Sequence, residues 1–174
     1  GGGKVYASDY AMPVVEMPWH DFAWFTDPLH GGCNENDFPP SCNHGPPFDT
    51  PAKVPDSDLG DWLAAMGMRD SLVVKENWDT IGATAPGVIG QDPSSGANVS
   101  EPPKVWVEGP WSYSAKDLTD VGLDPATFDK SDHPLTISWP YNCGRTLFTT
   151  YHTVGSTSGG RHPDLLPQER ILFY

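Results

Sequence analysis

GGGKVYASDYAMPVVE, Gly1 to Glu16, decides how the rest of the chain is read. Three glycines lead into the short apolar run Val5-Tyr6-Ala7. That run is too short for a helix and too apolar for a loop, so it predicts a buried strand. Ser8 and Asp9 mark a turn, and Tyr10 to Glu16 begins a helix in which Pro13 is tolerated only in the first turn. Strand, tight turn and helix make the geometry of a nucleophile elbow, with Asp9 at the raised position. An N-cap role for Asp9 accounts for the same residues, and local sequence leaves both readings open.

KVYASDYAM resembles the elbow of class I glutamine-amidotransferase-like domains, where a strand ends in Gly-x-Cys-x-Gly-x-Gln. Asp9 falls at the nucleophile cysteine and Ala11 at the second glycine. Downstream, Arg145-Thr146-Leu147-Phe148-Thr149-Thr150-Tyr151-His152 resembles the late strand that delivers the family's catalytic histidine, and His152 falls at that position. Thr153-Val154 replaces the family's Pro-Glu, so the third member of the triad is missing. The chain is most similar to a bacterial branch of this superfamily related to the trehalose-utilisation type, strongly at its two ends and weakly in the middle. The resemblance implies an α/β fold: a flavodoxin-like, mostly parallel sheet flanked by helices, with a late β-hairpin and long loop insertions. Such a sheet needs strands before Gly1, and the last residues stop within an apolar helical pattern, so an incomplete domain is expected.

The chain has 174 residues, which sets one domain over 1–174 as the expectation. Its 18 Gly and 19 Pro predict many loops, and seven Trp supply the burial that a 37% hydrophobic content otherwise lacks. Ten Lys and Arg against 23 Asp and Glu give a net charge of −13, which excludes nucleic acid and anionic membrane as partners and favours cations. No apolar run approaches the ~18 residues of a membrane span.

Residues 17–56 form a proline-rich loop insertion carrying Trp19, Phe22, Trp24, Phe25, Phe38 and Phe48. These aromatics form a satellite core beneath the loop, line a pocket over the elbow, or offer a surface for a protein partner or self-assembly. Cys33 and Cys42 lie nine apart in it, and a disulfide between them implies an extracellular or periplasmic location, with Cys143 free. Beyond the insertion, Leu59, Trp62, Leu63 and Met66 have helical spacing, Asp56 or Ser57 caps that helix and Gly67 ends it. Strands are predicted at Leu72–Val74, Trp78–Ile81 and Lys104–Glu108. Residues 82–103 read as a surface excursion, and Lys116–Val121 as a helical turn. Leu135–Trp139 and Arg145–Tyr151 form a hairpin, and a helix runs over Asp164–Tyr174.

Glutamine hydrolysis needs a thiolate at the elbow, and Asp9 cannot supply one, so glutaminase activity is not expected. Asp9 and His152 can act as an acid–base dyad, or hold a divalent cation with His20, Asp21 or His30 as further ligands. A structural Asp–His hydrogen bond in a degenerate site accounts for them equally. No cofactor is expected. The first functional expectation is therefore a non-catalytic, extracytoplasmic amidotransferase-like domain serving binding or assembly at a bacterial cell surface. The alternative is a hydrolase using Asp9 and His152 on a carbohydrate or amide.

Overall fold

The computed structural model describes residues 3–8, 11–29, 46–68, 72–152 and 170–173. Strands dominate them: β1 (Lys4–Ser8), β2 (Ala23–Phe25), β3 (Phe48–Pro51), β4 (Val73–Asn77), β5 (Ile81–Thr84), β6 (Gly87–Gln91), β7 (Asn98–Glu101), β8 (Lys104–Pro110), β9 (Asp132–Tyr141) and β10 (Gly144–Thr149). Three short helices, α1 (Met12–Trp19), α2 (Ser57–Ala65) and α3 (Ala115–Asp120), and a 3-10 turn at Ile171–Phe173 accompany them.

The main sheet has the order β1-β10-β9-β8. Only β1 and β10 run parallel, and β10–β9 and β9–β8 are antiparallel. Three further antiparallel pairs, β2–β5, β3–β4 and β6–β7, surround it. This overturns the expected flavodoxin-like, mostly parallel sheet flanked by helices. The reason is in the connections. A parallel neighbour needs a crossover of a dozen or more residues, usually helical. Here the neighbours β9 and β10 are joined by only two residues, Asn142-Cys143, and the neighbours β6 and β7 by six. Links this short between paired strands can only turn the chain back on itself.

Strand alternation splits the main sheet between two cores. On one face Ala7, Phe148, Ile137 and Trp139 meet Met12 and Val15 of α1, together with Phe22, Ala23, Phe25 and Ile81. Phe22 stacks on Trp139 (5.2 Å, 18°), and Phe25 meets Phe148 edge-on at 5.0 Å. Each such side chain contributes about 1.5–3 kcal/mol by leaving water. The second core gathers Leu59 and Leu63 of α2 with Val74, Val107, Leu135, Tyr151 and Ile171.

α2 forms as its sequence predicts. Asp56 Oδ1 accepts from the Leu59 N–H at 2.8 Å, and Gly67 takes the left-handed conformation (φ 75°) after its end. α3 carries a capping box between Ser114 and Asp117. In α1 the N-cap position falls on Ala11, without a side-chain cap bond, and not on Asp9.

The insertion over 17–56 is more regular than expected, since β2 and β3 lie inside it. Its aromatics also pack differently. Phe22 and Phe25 belong to the core of the main sheet and not to a satellite, because β2 is laid against that face through β5. Phe48 is buried and Trp19 packs on the same core, whereas Trp24 is exposed; Phe38 lies outside the described residues. The stretch 82–103 contains the β6–β7 hairpin. Trp78–Thr80 is not a strand: its N–H groups at Trp78 and Asp79 both donate to the Thr150 carbonyl. Most of the helix expected over 164–174 lies outside the described residues.

Candidate functional site

β1 and β10 leave the sheet side by side, because Ser8 stands opposite Thr149 in a parallel pair. The expected strand and helix on either side of Asp9 in the sequence are present as β1 and α1, and Asp9 itself lies outside the described residues. His152 follows β10, half-buried, with its ring 6.2 Å from that of Trp78. The Asn77–Asp79 segment is clamped beneath it. Asn77 bridges to Tyr151, and the Thr150 hydroxyl donates to Asn77 Oδ1. Asp27 and Asp79 are both buried, and after burial itself their charges are the main causes that push the Tyr113 phenol upward.

The other expected ligands do not join this edge. His20 and Asp21 follow the far end of α1, exposed, and pair with each other at 3.1 Å. His30, Cys33 and Cys42 lie outside the described residues, and Cys143 is free and exposed in the β9–β10 turn. Among the described residues no group of three His, Cys, Asp or Glu side chains stands close enough to hold a metal ion. No helix among them is long and apolar enough to cross a membrane.

A concavity lies on the open face of the main sheet. Alternation puts Lys4 and Tyr6 of β1, Arg145 and Leu147 of β10, and Thr136 and Ser138 of β9 on that face. With Trp106 of β8 and the 3-10 turn at Ile171-Leu172 they line a groove of about 360 Å³. Its floor is polar but satisfied. The Trp106 indole N–H donates to Ser138 Oγ at 2.8 Å, and the Tyr6 hydroxyl meets Thr149 Oγ1 at 3.3 Å. Below them the Tyr151 hydroxyl and Thr136 Oγ1 are 2.6 Å apart, and full burial pushes the Tyr151 phenol well above its ordinary range. That hydroxyl is a fixed hydrogen-bonding group and not a base.

Charge sets the groove apart. Lys4 and Arg145 are direct register partners on neighbouring strands. Like charges placed opposite one another in a sheet repel. Neither forms an ion pair with a described residue, although the chain carries 23 acids. By contrast Lys104, at the groove's rim, pairs with Asp56 at 2.6 Å and sits 3.8 Å from the Trp106 ring centroid. The sequence held a signal for this site that the motif-led reading passed over. Lys4-x-Tyr6 and Arg145-x-Leu147 have strand period, so each pair shares a face. What the sequence does not show is that β10 is the strand beside β1 in that register. No protein-family model matches the chain, and no curated protein or solved structure matches it either.

Proposed function

We propose that this chain is a non-catalytic binding module, working outside the bacterial cytoplasm, whose open sheet face captures an amphipathic carboxylate. One observation carries the reading: two cations are held opposite each other beside an apolar and aromatic wall, with no described acid to neutralise them. An anion seated between Lys4 and Arg145 relieves their repulsion and gains two charge-assisted hydrogen bonds. Leu147, Ile171, Leu172 and the Trp106 ring then cover its apolar part. The extracytoplasmic location rests on the expected Cys33–Cys42 pair.

The experiment is a titration with decanoate and with decanol, followed by Trp fluorescence and calorimetry. Decanoate binds at least ~10-fold more tightly than decanol, an advantage worth about 1.4 kcal/mol. Lys4→Ala and Arg145→Ala each remove most of that advantage, and added salt weakens it. Equal binding of acid and alcohol, or unchanged affinity in both variants, refutes the reading.

Hydrolysis through Asp9 and His152 is the second reading, and the observation favouring it is the shared exit edge of β1 and β10, with two buried carboxylates nearby. Turnover of nitrophenyl esters or glycosides that is lost in His152→Ala would replace the binding reading with this one.

A further inference from the structure

A second concavity, of about 510 Å³, opens where the end of α1, the β6–β7 hairpin and the β9–β10 turn meet. It is separate from the carboxylate groove and shares no residue with it. Two aromatic rings form one wall: Trp19 and Tyr141, 5.7 Å apart and nearly perpendicular at 78°. Trp19 is backed in turn by Trp139 at 5.8 Å, and Tyr141 is 42% exposed, so its ring is open to a ligand. Three carboxamides, Gln91, Asn98 and Asn142, and the carboxylate of Asp21 share the lining with them. The lining holds neither Lys nor Arg.

The walls are braced by backbone and not only by side chains. A bulge between Val88 and Gly90 interrupts the β6–β7 register. The carbonyl of Ile89, inside that bulge, accepts instead from the Asn142 N–H at 2.7 Å. Bulges often re-aim groups beside binding sites, and this one ties one hairpin to the turn of another. Asn142 is held in the left-handed region (φ 50°), which displays its carboxamide from a fixed turn. The Gln91 and Asn98 side chains meet each other only at 3.5 Å, which leaves their remaining donors and acceptors for a ligand.

We infer that this pocket binds a neutral saccharide. Carboxamides both donate and accept, as hydroxyl groups require, and a carboxylate without a neighbouring cation in the lining disfavours an anionic ligand. An exposed phenol ring beside an indole offers a flat apolar surface to the C–H face of a sugar ring. The volume falls within the ~300–1,000 Å³ of small-molecule sites.

The test is calorimetric titration with glucose, galactose, mannose and xylose and with their α-1,4- and β-1,4-linked dimers, with glucuronate as the charged comparison. At least one neutral sugar binds saturably, and glucuronate binds at least ~10-fold more weakly than its neutral counterpart. Tyr141→Ala weakens binding by ~10-fold or more. Asn142→Gly weakens it too, while keeping the left-handed turn without strain, so a loss there is not a folding defect. Lys4→Ala/Arg145→Ala leaves sugar binding unchanged, which separates this inference from the carboxylate reading. No saturable binding across the panel overturns the inference, as does wild-type affinity in both pocket variants or a preference for glucuronate.

Discussion

Gly87→Ala tests the packing of the main core, because general expectation and this structure give opposite signs. Gly87 lies in β6, and its backbone is not in the left-handed region that favours glycine. At such a site an alanine ordinarily stabilises by ~0.4–1 kcal/mol through the unfolded chain. Here the new Cβ stands 2.5, 2.6 and 2.7 Å from three carbons of the Phe22 ring. Carbon atoms prefer roughly 3.5–4 Å, so the ring must retreat by about 1 Å. It cannot do so freely, since it is buried and stacked on Trp139 at 5.2 Å. Overpacking costs about 1–3 kcal/mol, and a disturbed aromatic pair ~0.5–1.5 more. The net effect is a loss of roughly 1–3 kcal/mol, or several degrees in Tm for a chain of this size. Gly60→Ala is the control: its Cβ meets nothing within 4 Å inside α2, and it gains ~0.8–1 kcal/mol. Thermal and urea unfolding, read by Trp fluorescence, measure both. A Gly87→Ala protein as stable as the parent refutes the stacked Phe22–Trp139 core.

Two other outcomes follow. Hydrogen bonds from Lys75 to Asp49, from Lys104 to Asp56, from the Ser94 hydroxyl to Asp92 and from the Ser131 N–H to Asp129 are the first causes holding these carboxyls below their ordinary range. Their stabilisation is therefore complete above the unfolded value near ~3.9 and is lost as pH falls through the lower folded values; a urea midpoint that stays level between about pH 4 and pH 2 contradicts those pairings. For the thiols, alkylation of the denatured, unreduced protein labels one cysteine, and reduction exposes all three; three labelled without reduction removes the Cys33–Cys42 bond and the extracytoplasmic location resting on it.

Local elements were legible where local chemistry decides them. Asp56, the Leu59-Trp62-Leu63 spacing and Gly67 carry the start, the face and the end of α2 within a dozen residues. Pro140 to Gly144 announced the β9–β10 hairpin; Val5-Tyr6-Ala7 announced the strand β1 but not its exposure, because Val5 and Tyr6 are 40% and 46% exposed and only Ala7 is buried. Partner choice was not legible. Nothing near Trp24 states that β2 pairs with β5, nearly sixty residues on, through a bulged register. The family resemblance filled that gap with a parallel sheet. The groove was missed for a related reason. Motif reading weighs Asp9 and His152 as chemical types, whereas Lys4 and Arg145 acquire meaning only as register partners.

The β8 bulge decides which core each valine of the strand joins. In a regular strand Val105 and Val107 would share a face and Trp106 would take the other. Instead Val105 pairs with Ile137 and Val107 with Thr136, so one extra residue sits between adjacent partners. Val105 consequently packs on the core beneath α1, while Val107, fully buried, joins the core beneath α2. One strand thus closes both cores on opposite sides of a four-stranded sheet, which short helices alone could not cover. Trp106 keeps the face of Ser138 that alternation from Lys104 gives it, where the indole N–H is satisfied and Lys104 lies over the ring, and the extra residue brings Val107 onto that same face. The aromatic wall beside Lys4 and Arg145 is therefore held by the indole bond to Ser138 and by Lys104 over the ring. A ligand entering the groove meets a surface already ordered, and the ordering cost that weakens flexible sites has been met by folding.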